Sequence, residues 1–485
     1  MLFHSLHFLI FFPVVILIYF SLPQKYRWVL LLIASYYFYM SWKAEYVILI
    51  MLSTITDYIA GLQIYKAKNL SRKKLFLGLS LLINLGLLFI FKYFNFFSQA
   101  TADFLKLFSI PFSPMTLKVL LPVGISFYTF QTLSYTIDIY RGKIKPEKHL
   151  GVFAVYVSFF PQLVAGPIER AKNLLPQFFK KHHFEYKRVT IGLKIMLWGF
   201  FLKLVVADRA AIVVNQVYNN VFEYTGASLI LATVFFAAQV YGDFAGYSFI
   251  AIGAAKVMGF RLMENFRRPY FSQSIAEFWR RWHISLSTWF QDYVFTPLYF
   301  KISKLKIIKN TKPKIKHTFS FCVSILIGLG LLGLWHGAAW KFIFFGIYNG
   351  LLISLYHLMQ QQWNKLNRYL QIGFTFCFVI FGLILFRANS LSESLYILTN
   401  LFSNISGSIF NIITGYSRIN RISLFISFTT ILFMISIHVL QENINILQFI
   451  SKRSIWLRWS IYFFVIFLIV IFGVFNQTPF IYFQF

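Results

Sequence analysis

Residues 333–340 read Gly333-Leu-Trp-His-Gly-Ala-Ala-Trp340 and close the apolar run of residues 319–332, so His336 stands at the end of a stretch fit to cross a bilayer. An imidazole at membrane depth is a functional-site candidate by default, because lipid supplies no partner for its nitrogens. Kept from bulk water, such a ring stays uncharged, as removing a proton from a hydroxyl requires. A hydrogen-bonded packing histidine among aromatics is the competing reading.

Outward from that run, apolar segments recur over residues 8–475 with no soluble-looking block between them. The 485 residues are 58% hydrophobic, 21% aromatic and 13% charged, where a soluble domain carries roughly a quarter charged residues. This composition predicts an all-α polytopic membrane protein, with residues 1–485 as a single integral membrane domain. A net charge of +31 would point to nucleic acid in a soluble chain, but here Lys and Arg gather in short loops between apolar runs. That is the positive-inside pattern, and it argues against a nucleic-acid partner. Membrane lipids with anionic headgroups, or a nucleotide thioester, are the polyanions such loops attract. The two cysteines, Cys322 and Cys377, both lie inside apolar runs, so neither a disulfide framework nor a metal site is expected. The first apolar stretch, residues 8–22, follows no Lys or Arg and precedes no small-residue cleavage site, and reads as a retained transmembrane helix.

Spans are expected around Val15, Ile33, Leu52, Leu85, Phe127, Met196, Phe235, Ile325, Phe345, Phe378, Ile431 and Val465. With short and re-entrant pieces the total comes to about 11–13 transmembrane or re-entrant helices. Lys25 and Arg27 follow the first span, Lys66 to Lys74 the third, and Arg141 to Lys148 the fifth, whereas residues 42–45 and 94–113 carry little charge. The odd-numbered loops therefore face the cytoplasm by this reading. Residues 159–177 and 259–300 depart from simple spans. In the second, Phe278, Trp282, Ser285 and Trp289 fall at i, i+4, i+7 and i+11 with Arg280 opposite and Arg281 on the flank, which predicts one amphipathic helix.

Four segments carry a more specific signal together: Pro122-Val-Gly-Ile-Ser-Phe-Tyr-Thr-Phe-Gln131, Tyr241-Gly-Asp-Phe-Ala-Gly-Tyr-Ser248, Glu264-Asn-Phe-Arg-Arg-Pro-Tyr270 leading into Glu277-Phe-Trp-Arg-Arg-Trp-His-Ile-Ser-Leu-Ser287, and Leu334-Trp-His-Gly337. With them the chain resembles the membrane-bound O-acyltransferase family, and within it the bacterial branch of alginate and peptidoglycan O-acetyltransferases. The likeness extends through Phe160-Pro-Gln-Leu-Val-Ala-Gly-Pro167 to Pro479-Phe-Ile-Tyr-Phe-Gln-Phe485. It implies a shell of helices around a central tunnel that joins a cytosolic donor site to an outward-facing acceptor site. It makes His336 the catalytic histidine and His283 the family's second signature polar position. One departure follows Pro297, where a Gly-rich turn common in relatives is replaced by Tyr299-Phe-Lys-Ile-Ser-Lys.

The chemistry expected is acyl transfer from acetyl-coenzyme A, with no permanently bound cofactor. His336 acts as general base, and His283 either donates to the acyl carbonyl or orients the acceptor. Arg280 and Arg281 are candidates for the donor's phosphates, since guanidinium groups bind phosphate bidentately, although interfacial arginines also snorkel without a ligand. Asp243 reads as a helix-pairing or tunnel-lining polar group, with Gly242 and Gly246 permitting close approach. The resemblance further implies a bacterial inner-membrane location, an extracytoplasmic hydrolase-like partner and a polysaccharide acceptor. D-alanyl transfer to teichoic acid is the nearest alternative. The ionisable residues Asp57, Asp138, Glu169, Arg170 and Lys203 motivate a different one, a membrane transporter.

Overall fold

The computed structural model describes residues 1–164, 166–414, 419–475 and 480–481. Ala165, Pro479 and residues 482–485 of the family-like segments lie outside the described residues. Among those described every regular element is a helix, and nine helices are long and apolar enough to cross a membrane. Shorter apolar helices at Leu6–Ser21 and Ile405–Thr414 add to them. The chain is thus an all-α polytopic membrane protein. Each of the twelve expected span centres falls inside a helix. Phe127 differs from the rest in its surroundings: its helix, Ile125–Tyr140, buries every residue except Ile137 and Tyr140, so this expected span is wrapped in protein.

The chain packs as two compact units. One is Met1–Leu193 with Ala251–Met263, and the other is Lys194–Ile250 with the described residues from Glu264 to Ile481. In the first, fully buried Asp57 joins three helices: Ser80 Oγ and Thr136 Oγ1 donate to its Oδ1, and Asn84 Nδ2 to its Oδ2 at 2.8 Å. Neutral donors from Leu70–Leu88 and Ile125–Tyr140 thereby satisfy a carboxyl on Val47–Lys66, as a polar group inside a bundle demands.

In the second unit, Pro313–His336 and Trp340–Trp363 form an antiparallel hairpin turning on residues 337–339. Small residues let the backbones touch: a Cβ on Gly346 would sit 2.0 Å from Leu329 O, and one on Gly333 2.1 Å from Phe342 O. This contact sets the elbow at which His336 stands.

The expected single amphipathic helix is two. Ile275–Arg281 stops at Trp282, His283 takes a left-handed conformation (φ 44°, ψ 52°), and Ile284–Phe290 starts anew. The apolar side was read correctly, because Phe278, Trp282, Ser285 and Trp289 are all buried. What ends the helix is a partner distant in sequence, since Asn265 O accepts the Ile284 N–H at 2.9 Å in place of an intrahelical carbonyl. After Pro297 the variant segment continues the helix Thr296–Ile302 as far as Ile302 and turns at Ser303 and Lys304.

Candidate active site

His336 ends its helix in the interior of the second unit, 3% exposed. Its ring lies among Trp335, Phe386 and Phe345, with centroids at 5.0, 5.3 and 6.1 Å. It lines a pocket with Tyr270, Trp279, Trp282, Asn349 and Phe386. The cavity volume is about 20 Å³, room for roughly one water. Its lining is chiefly aromatic and aliphatic. Asn349 is the pocket's polar anchor, which sequence reasoning missed: its Oδ1 accepts from Trp279 Nε1 at 3.2 Å and its Nδ2 donates to Phe345 O at 2.8 Å.

His283 is fully buried, and its ring stands 6.1 Å from Trp335, so the two histidines both contact one indole. Its Nδ1 lies 3.1 Å from Asn265 Oδ1. That same oxygen accepts the Ser285 N–H at 3.2 Å and Ser285 Oγ–H at 2.9 Å, while Asn265 Nδ2 donates to Ser248 Oγ at 3.1 Å. A backbone N–H can only donate, so the atom facing His283 is the amide oxygen and His283 Nδ1 carries the ring proton. His283 lies outside the nine candidate spans. Burial first, and the neighbouring His336 second, hold its pKa well below the ordinary histidine value, so the ring is neutral at physiological pH. In the neutral ring Nε2 is an acceptor, which favours orienting a hydroxyl over donating to a carbonyl. Asn265 stood in a quoted segment without a role, because nothing in the spacing of residues 265 and 283 reveals that they meet.

Arg280 and Arg281 do not line the His336 pocket. Arg280 is exposed. Arg281 Nη2 pairs with Glu277 at 2.6 Å and its Nη1 lies 3.6 Å from Glu442, which also pairs with Arg268 at 2.6 Å and Arg368 at 3.5 Å. The charge of Arg281 is already countered by carboxylates.

The ionisable residues that motivated a transporter are tied into the protein. Lys203 Nζ lies 2.7 Å from Asp243 and 2.9 Å from Asp208, all three buried. Asp243 therefore pairs helices as expected, and a Cβ on Gly246 would meet Gly199 O at 2.8 Å. Glu169 Oε1 accepts the Met263 N–H, and burial pushes its carboxyl up to about 7. Asp138 and Arg170 are buried as well. Among the described residues no group of His, Cys, Asp and Glu could hold a metal ion.

Comparison with known proteins places this arrangement. Residues 148–398 match the model of the membrane-bound O-acyltransferase family. A probable alginate O-acetylase of Pseudomonas putida is 36% identical over 400 residues, covering 81% of this chain and 78% of that protein. A peptidoglycan O-acetyltransferase of Helicobacter pylori is 30% identical over 402 residues, 76% of this chain and 73% of that protein. A teichoic acid D-alanyltransferase of Bacillus subtilis is 32% identical over 285 residues, 54% of this chain and 68% of that protein.

Proposed function

This chain belongs to the membrane-bound O-acyltransferase family and is a multi-pass membrane O-acyltransferase, and we propose that it serves the O-acetylation of an envelope or exported polysaccharide. The donor is cytoplasmic acetyl-coenzyme A, the location is the bacterial inner membrane, and an extracytoplasmic hydrolase-like partner completes delivery to sugar hydroxyls. The observation that carries this reading is the pair of buried histidines in contact with the same Trp335 ring, one of them lining a pocket, in a chain whose similarity to a probable alginate O-acetylase covers 81% of its length.

His336 is the general base. It takes the proton of the attacking hydroxyl as the oxygen adds to the acyl carbon. Collapse of the tetrahedral intermediate breaks the carbon–sulfur bond, and the imidazolium returns the proton to the departing thiolate, leaving an ester and free coenzyme A. Acid–base help of this kind contributes a factor of about 10² to 10⁴. A hydroxyl has one proton and His336 takes it, so the group held by His283 Nε2 is a neighbouring hydroxyl of the acceptor. For the donor's phosphates we assign Arg280, because Arg281 would first have to leave Glu277 and Glu442.

D-alanyl transfer is the second reading, favoured by the Bacillus subtilis relative but over 54% of this chain. Purified protein offered labelled acetyl-coenzyme A or D-alanyl carrier protein, together with the exported partner, separates the two. Acetyl label on partner or glycan is the expected result. Consumption of neither donor overturns the acyl-transfer reading for this chain.

A further inference from the structure

The chain beyond Phe472 leaves a helix, Ile455–Phe472, none of whose residues is buried, yet Phe480 and Ile481 are 0% and 3% exposed. Its return is met at three points of the second unit. Arg209 Nε donates to Phe472 O, the Val474 N–H donates to Leu204 O at 3.1 Å, and the Ile481 N–H donates to Asp243 Oδ2 at 2.7 Å. Leu204 and Lys203 belong to a π-helical stretch, Phe201–Ala207, inside the long Tyr186–Tyr218 helix, a wide turn of the kind found at functional sites. The carboxylate that receives Ile481 is the one Lys203 holds at 2.7 Å. A buried ion cluster is weak evidence for stability, since desolvation offsets much of its attraction, so its consequence is sought in what it places.

What it places is Phe480. That ring packs edge-on against Phe244 at 5.3 Å and tilted against Tyr247 at 4.8 Å, and Phe244 in turn meets the His283 imidazole at 4.5 Å and 78°. The Nδ1 contact to Asn265 fixes one ring atom, and the plane of the buried imidazole is set by its ring neighbours, Phe244 at 4.5 Å, Trp335 at 6.1 Å and Phe266 at 6.3 Å. Phe244 is the nearest of the three and meets it edge to face. We propose that Asp243 and Phe480 are positioning residues for His283: Asp243 anchors Ile481, Phe480 backs Phe244, and Phe244 sets the plane of the ring. Phe480 and Ile481 are by this proposal part of the active-site support. The idea rests on the acyl-transfer reading above for its consequence in rate, but not for its consequence in ring geometry.

The full chain in lipid nanodiscs, with ring-nitrogen-labelled histidine, tests it by NMR. In the unaltered protein His283 is expected as one neutral tautomer protonated at Nδ1. Phe480→Ala is expected to broaden that signal or mix the tautomers, and Phe480→Leu to restore it. Turnover with labelled acetyl-coenzyme A is expected to fall about tenfold in Phe480→Ala, with donor KM within about twofold. In a His283→Ala background the same substitution should cost less than about twofold, because residues acting through one another are not additive. An unchanged His283 signal in folded Phe480→Ala, or an equal loss of rate in both backgrounds, overturns the proposal. Where Phe480→Ala does not fold, Phe480→Met supplies the perturbation, and an unchanged ring signal there overturns it equally. A chain with no transferase activity contradicts the proposed function and leaves the NMR result to decide the positioning.

Discussion

Asn265 Oδ1 lies 3.1 Å from His283 Nδ1 while accepting the Ser285 N–H at 3.2 Å, so one side-chain amide both caps the helix that starts after His283 and selects which ring nitrogen carries the proton. Replacing Asn265 by Ala removes an acceptor from buried donors, each costing about 1–3 kcal/mol when left unsatisfied. Asn265→Ala is expected to lower the unfolding temperature and to reduce turnover per folded molecule at least about tenfold, with donor KM little changed. Parallel calorimetry and transfer assays check this, and a normal rate in a folded variant refutes it.

The depressed pKa of His283 has a consequence for stability against pH. A buried neutral histidine contributes stability that is present above the unfolded value, near 6.5, and is lost as pH falls below it, because the unfolded chain takes up the proton first. His283→Asn is therefore expected to flatten the loss of unfolding temperature between about pH 6.5 and 5. Parallel profiles for the two proteins would show that His283 does not carry this charge penalty.

Lys203 stands between two buried carboxylates. Lys203→Met leaves both without their cation and is expected to cost about 3–5 kcal/mol, whereas the double change Lys203→Met with Asp243→Asn is expected to recover part of it. Denaturant unfolding in mixed micelles measures both. A double variant no more stable than the single one contradicts the pairing.

Which parts of this site were legible follows from how far each depends on distant partners. The apolar runs that form the helices are local, and every expected span centre lies in one. The break at His283 was not legible, because the pattern Phe278, Trp282, Ser285 and Trp289 continues through it and the residue responsible lies 18 positions earlier. Lys203 and Asp243 each stood out as ionisable groups beside apolar sequence, but their pairing is a tertiary fact. The engagement of Arg281 by Glu442 and the role of Asn349 in the pocket were hidden for the same reason. Residue type marked the two histidines, and the family resemblance assigned their roles.

The hairpin that presents His336 depends on backbone contact at Gly346. Gly346→Ala places a methyl group against Leu329 O and must part the helices, an overpacking cost of about 1–3 kcal/mol. Lower unfolding temperature and reduced transfer are expected together. Full activity and unchanged stability would mean that the elbow tolerates separation.

The most direct test is acyl transfer by purified His336→Ala in the presence of the exported partner, measured as label leaving acetyl-coenzyme A and normalised to folded protein. If His336 removes the acceptor's proton, transfer falls by about 10² or more while the unfolding temperature stays near that of the unaltered chain. A folded His336→Ala protein that transfers acetyl at the ordinary rate contradicts the mechanism at its base.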